Sequence, residues 1–157
     1  MTLRRATNED SEGLIRLVGD CFAEYEGCVL DLETEERGLL TPADSFDRFW
    51  VLEEEGRIVG SVALTEVDES TVELKKMYLD AGLRGTGRST RLLAAVLYHA
   101  VAMGATAVEL WSDTRFTRAH RFYEREGFAR TGRTRELNDP SSTTEFHFVR
   151  RLGGVPR

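Results

Sequence analysis

The run Arg84-Gly85-Thr86-Gly87-Arg88-Ser89, followed at once by Thr90-Arg91-Leu92-Leu93, decides how the rest of the chain is read. Two glycines two positions apart let the backbone turn tightly and approach a ligand closely. Behind them Leu92, Leu93, Val96, Leu97, Ala100 and Val101 recur at helical spacing up to Gly104, so the loop opens an amphipathic helix. The first N–H groups of such a helix lack partners and lie at the positive end of its dipole, a combination suited to phosphate oxygens. A dipole contact contributes only ~0.3–1 kcal/mol per charge when exposed. A tight site therefore also needs several N–H bonds and arginines, which Arg84, Arg88 and Arg91 are placed to supply.

Three phosphate chemistries compete for this loop. A P-loop requires Gly-Lys-Ser/Thr after the glycines, and none follows here. A dinucleotide fingerprint would put a third small residue where Thr90 stands, in a strand-helix-strand unit opening the sheet. Glu109 lies at a tolerable distance for a ribose-binding acid, which keeps that alternative open, although an antiparallel meander before the loop counts against it.

Upstream, Leu3–Ala6 reads as an opening strand and Thr7 or Asn8 as a cap for a helix carrying Leu14, Leu17, Val18, Cys21, Phe22 and Tyr25, with Gly27 as its stop. The acidic stretch Glu24–Glu36 reads as a loop and short helix. Strands are expected at Phe46–Leu52, Ile58–Leu64 and Thr71–Leu79, with Glu53–Arg57 as a hairpin connection. Downstream, Ala107–Ser112 should pair in parallel through a right-handed crossover. A helix over Thr117–Glu126 and strands at Phe128–Thr131 and Glu145–Val149 complete the order strand, helix, three strands, helix, strand, helix, two strands.

The totals suit one globular domain over residues 1–152, with 153–157 as a frayed tail. Of 157 residues 41% are hydrophobic and 31% charged, and no run approaches the ~20 apolar residues of a membrane span. A net charge of −6 argues against a nucleic-acid partner. Without a signal-like segment at Met1–Thr7 a cytoplasmic location is expected. Cys21 and Cys28 are too few for a disulfide framework and lack zinc spacing; Cys21 reads as a core residue. His99, His120 and His147 lie scattered without metal spacing and read as structural, so no metal is expected.

The loop resembles the acyl-CoA pyrophosphate loop of the GNAT superfamily of N-acetyltransferases, Arg/Gln-x-x-Gly-x-Gly/Ala, matched by Arg84, Gly87 and, in place of the usual glycine or alanine, Ser89. Met77-Tyr78-Leu79-Asp80 looks like the end of that family's fourth strand, which pairs with the pantetheine arm. Ala119, Tyr123, Glu124, Gly127 and Phe128 look like its Ala-x-x-x-Tyr-Glu-x-x-Gly-Phe segment. Phe116 departs from an asparagine found in many members, leaving Thr117 or Arg118 to take up that contact. The resemblance implies an α/β (α+β) fold: a mixed, mostly antiparallel sheet of about seven strands, helices on both faces, and the fourth and fifth strands splayed. It also implies acetyl-CoA as cosubstrate at Met77, Tyr78, Leu79, Arg84, Gly85, Thr86, Gly87, Arg88, Ser89 and Thr90.

From the family chemistry follows direct attack of a neutral amine on the thioester through a tetrahedral oxyanion, stabilised by backbone N–H near Met77 and Leu79. Tyr123 matches the family tyrosine that protonates the departing thiolate. For the base, period-two alternation puts Glu73 on the same face as Met77 and Leu79; Glu109 and Asp113 stay open as alternatives. The acceptor region of the family maps onto Tyr25–Glu36 and Arg133–Thr144, with Tyr25 and Arg135 as candidate contacts. A small zwitterionic or cationic amine is expected as acceptor in preference to a protein, and homodimers are common among relatives. The rival reading from another class is an acyl-CoA-binding sensor that turns nothing over.

Overall fold

Residues 1–153 are described by the structure, a computed structural model. Of the tail expected at 153–157 only Gly153 is therefore included, and 154–157 lie outside the described residues. In chain order the elements are β1 (Thr2–Arg5), α1 (Ser11–Phe22), α2 (Pro42–Ser45), β2 (Arg48–Glu54), β3 (Arg57–Glu66), β4 (Thr71–Leu79), α3 (Arg88–Ala102), β5 (Ala107–Asp113), α4 (Thr117–Arg125), β6 (Ala129–Glu136) and β7 (Thr144–Arg151). Seven strands form one sheet in the order β1-β2-β3-β4-β5-β7-β6, antiparallel except for β4 against β5. The succession of strands and helices along the chain is the expected one, with its parallel pair where the crossover helix α3 demands it.

Local chemistry explains most boundaries. Asp10 ends a short 3-10 turn before α1, and its carboxylate accepts the Thr7 N–H at 2.8 Å and the Arg4 guanidinium at 2.8 and 2.9 Å. The β2–β3 connection narrows from the expected five residues to Glu55 and Gly56, both left-handed (φ 51° and 78°), the conformation of a tight two-residue hairpin. No helix forms within Glu24–Glu36; the short helical pieces come just after, at Arg37–Leu40 and in α2, where Pro42 occupies the first turn. β6 runs to Glu136, beyond the expected Thr131. Every residue in it is exposed, so no apolar alternation marked it, and pairing with β7 holds it.

Side chains divide between two layers. On one face Val62, Leu64, Val72, Leu74 and Leu79 pack against Leu92, Leu93, Val96 and Ala100 of α3, joined by Leu110, Tyr123, Phe128 and Phe148. On the other, Leu14, Leu17, Val18, Cys21 and Phe22 of α1 cover Phe49, Val51, Ile58 and Ala63. Cys21 is the expected core residue, and burial pushes its thiol up to about 11. None of the helices described is long and apolar enough to cross a membrane.

One irregularity organises everything downstream. Ser61 opposes Tyr78 and Ala63 opposes Lys75, so Val62 faces two residues, Lys76 and Met77, across β4. Lys76 takes the left-handed conformation (φ 53°) of a β-bulge, and the buried Ser61 hydroxyl donates to its carbonyl at 2.7 Å. Pairing between β4 and β5 stops in the same region, lasting only from Thr71↔Ala107 to Glu73↔Glu109.

Leu92, with no exposed surface at the α3–sheet interface, is the sensitive probe of this packing. Leu92→Ala is expected to cost about 2–5 kcal/mol, read as a lower urea midpoint at unchanged slope.

Candidate active site

Where β4 leaves β5, two cavities open and meet. The larger, about 640 Å³, lies on the α1–α2 side and is lined by Glu35, Glu36, Glu73, Lys76, Trp111, Arg135 and Glu145 among others. The smaller, about 370 Å³, runs from Met77, Tyr78 and Leu79 to Gly85, Gly87, Ser89 and Thr90 at the start of α3. Met77, Tyr78, Phe116, Ala119 and Tyr123 line both, so these five residues mark the passage between them.

Beyond Glu73 the β5-facing edge of β4 has no strand partner, so its N–H and C=O groups are open to an extended ligand. At the far end Gly85 and Gly87 are left-handed (φ 76° and 83°), with open space where a Cβ would point. No side chain caps α3, which leaves its first N–H groups free for an anion. Apolar walls join these two polar ends: Met77, Phe116, Ala119 and Phe122. A molecule with a hydrogen-bonding arm and a pyrophosphate fits this shape.

The sequence matches the acetyltransferase (GNAT) family over residues 12–128. This chain belongs to that family. Among its relatives, N-acetylaspartate synthetase of Danio rerio is 35% identical over 129 residues, covering 76% of this chain and 43% of the relative. The chain spans half or less of the length of the curated relatives first matched. The fold is shared with a crystal structure of an acetyltransferase from Streptococcus agalactiae (TM-score 0.82, 22% identity, covering 96% of this chain and 98% of that one). It is also shared with an aminoglycoside 6'-N-acetyltransferase crystallised with coenzyme A (TM-score 0.76, 13% identity, all of both chains). The dinucleotide alternative falls with this fold, since four strands of the sheet precede the loop and Glu109 is spent on His147.

Most residues expected at the GNAT cofactor site line the smaller cavity: Met77, Tyr78, Leu79, Arg84, Gly85, Gly87, Ser89 and Thr90. Thr86 and Arg88 do not. The Thr86 hydroxyl turns back onto the Leu83 carbonyl, and Arg88 points to the chain start, its Nε 3.4 Å from Met1 Sδ. Arg91 is exposed away from the cavity; Arg118 and Arg125 of α4 supply the cationic wall instead. Arg125 was invisible in the sequence because it lies outside the loop motif, on a helix read for its tyrosine. Arg84 is held bidentately by Glu24 at 2.6 Å on both oxygens, a pairing that lowers the Glu24 pKa and raises that of Arg84.

Two expectations about the acceptor side need correction. Tyr25 lines the smaller cavity, not the larger, its ring packed on Phe116 with centroids 4.8 Å apart. Glu73 does line the larger cavity but shares its sheet face with Lys75 and Tyr78, not with Met77 and Leu79: the bulge at Lys76 adds one residue and reverses the alternation. Burial lifts the Glu73 carboxyl above its ordinary value, Lys75 at 3.9 Å drawing it partly back.

The other two carboxylates considered are committed elsewhere. Asp113 is clamped by Arg115 through bonds of 3.0 and 2.9 Å, and Glu109 binds His147 Nε2 at 2.7 Å and lines neither cavity. Arg135 reaches the larger cavity while paired with Glu145 at 2.7 Å and stacked over Trp111 at 4.3 Å. His120 and His147 are buried hydrogen-bonded residues, His120 on Ser112 and the Asp113 carbonyl, His147 between Glu109 and Thr131.

Gly87→Val would place a branched side chain at φ 83°, a conformation costing L-residues roughly 1–2 kcal/mol. Coenzyme A affinity is expected to fall at least tenfold in a calorimetric titration, with the melting curve still cooperative.

Proposed function

We propose that the chain transfers the acetyl group of acetyl-CoA to the primary amine of a small molecule, by direct attack in the passage between the two cavities. The observation that carries this reading is Tyr123, which lines both cavities where they meet and is otherwise enclosed in the core beside Phe128 and Phe148. Burial pushes the Tyr123 phenol above its ordinary value, so it stays protonated through the neutral range and has a proton to offer the departing thiolate sulfur.

Glu73 is the base in this scheme. Its carboxylate lines the acceptor cavity, keeps no hydrogen bond to the described residues, and its raised pKa brings it closer to that of the ammonium it must deprotonate. Backbone N–H groups on the unpaired edge of β4 near Met77 would hold the oxyanion, and the start of α3 with Arg118 and Arg125 the pyrophosphate. Relatives named for N-acetylaspartate favour a small amine over a protein as acceptor.

Release of free thiol from acetyl-CoA over a panel of amines, run beside a cofactor titration, tests the proposal; binding without release across the panel would leave an acyl-CoA sensor in its place. Tyr123→Phe is expected to lower kcat about ten- to a hundredfold with coenzyme A affinity nearly unchanged. Glu73 works only when ionised and its pKa lies above the ordinary 4.5. Turnover should therefore fall as pH drops through that raised value, and Glu73→Gln should lower kcat and abolish this acidic limb.

A further inference from the structure

Resting on the transferase reading above, we propose that Lys76 anchors a carboxylate of the acceptor, so that the acceptor is an amino carboxylate: an amino acid or a close analogue. Three observations converge on this residue. The first is its backbone. A left-handed φ of 53° at a strand bulge suits glycine, and a lysine there accepts strain that a glycine would avoid. The Ser61 hydroxyl fixes the bulge through the Lys76 carbonyl at 2.7 Å, so the root of the side chain is held in place next to Met77 at the passage.

The second is its lack of a counter-ion. Lys76 lines the acceptor cavity yet makes no ion pair among the described residues; its Nζ reaches only the Glu35 carbonyl, at 3.5 Å. The neighbouring cations are claimed: Arg135 by Glu145 at 2.7 Å, Arg115 by Asp113 at 2.9 Å, Lys75 more loosely by Glu73 at 3.9 Å. Arg37, exposed on the same cavity's wall, is the other cation there without an ion pair among the described residues, and a second carboxylate could meet it.

The third is partial burial. The half-buried Lys76 ammonium loses hydration, which lowers its pKa, and Glu36, itself desolvated with a raised pKa, is the largest opposing charge. An entering carboxylate would supply the charge that this ammonium lacks, and would do so three residues along the strand from Glu73, setting the acceptor amine toward the base. A purely cationic acceptor would gain nothing from Lys76 and would be repelled by it.

The test uses the full chain with L-aspartate, L-glutamate and L-alanine beside their α-amides. Thiol release from acetyl-CoA gives kcat and KM, and thermal shift with N-acetyl-L-aspartate plus coenzyme A gives binding without turnover. For the wild type, free acids should exceed amides in kcat/KM about ten- to a hundredfold, the range for a charge-assisted bond. Lys76→Met should erase that preference through KM while leaving amide turnover and coenzyme A affinity within about threefold, and Lys76→Arg should restore part of it. Equal losses on acids and amides, or a wild type that prefers amides or diamines, would overturn the anchor and leave the transferase standing. A Lys76-dependent thermal shift without thiol release would support the anchor and sink the transferase. Neither turnover nor shift with any probe would overturn both.

Discussion

The constraint on which the rest depends is the early end of pairing between β4 and β5. A parallel pair of strands normally runs on until a loop ends it, whereas here three registers are made and the strands then part. Parting exposes main-chain groups that must find other partners, and inside a protein such groups are costly to leave unmade. The molecule keeps them at the wall of a cavity, where water or an extended ligand can reach them. Tyr123 from α4 and Phe116 just ahead of it line both cavities where they meet, so the opening is a passage walled by aromatic rings.

Charge is organised around that opening by pairing more than by number. Despite an acidic total, the walls carry arginines, and three of the five among the described residues are tied to carboxylates: Arg84 and, more loosely, Arg118 to Glu24, and Arg135 to Glu145. Exposed pairs of this kind contribute little to stability. Their use is geometric, because each fixes a long side chain that would otherwise sweep the cavity. Glu24 in particular ties the end of α1 to the phosphate-loop side, so Arg84 must exchange one anion for another when a pyrophosphate arrives.

The succession of elements along the chain and the start of α3 were legible in the sequence because each rests on local signals: paired glycines, helical periodicity, strand runs bounded by turns; Tyr123 was named from the family resemblance alone. β6 was legible only in part, since an edge strand carrying arginines over Trp111 and Phe146 shows no buried alternation to detect. Thr86 and Arg88 were misplaced because a motif gives positions along the chain and not side-chain directions within a turn. Tyr25, expected as an acceptor contact, lines the smaller cavity, and nothing in the sequence announces that it stacks on Phe116. The face of Glu73 was the most instructive error. Alternation with period two is valid only while the strand is regular, and a lysine at the bulge hides an irregularity that a glycine would have advertised.

That hidden extra residue makes β4 unusually intolerant of changes in length. Val72 and Leu74 reach the α3 side of the sheet together with Leu79 only because Lys76 shifts the phase between them. Loss of a single codon there would turn either half of the strand inside out, presenting Glu73 and Lys75 to the hydrophobic layer or withdrawing Met77 and Leu79 from it. Evolution can therefore vary the identity of residue 76 far more freely than it can remove it, and descendants of this chain should differ at that point by exchange of side chains and not by indels.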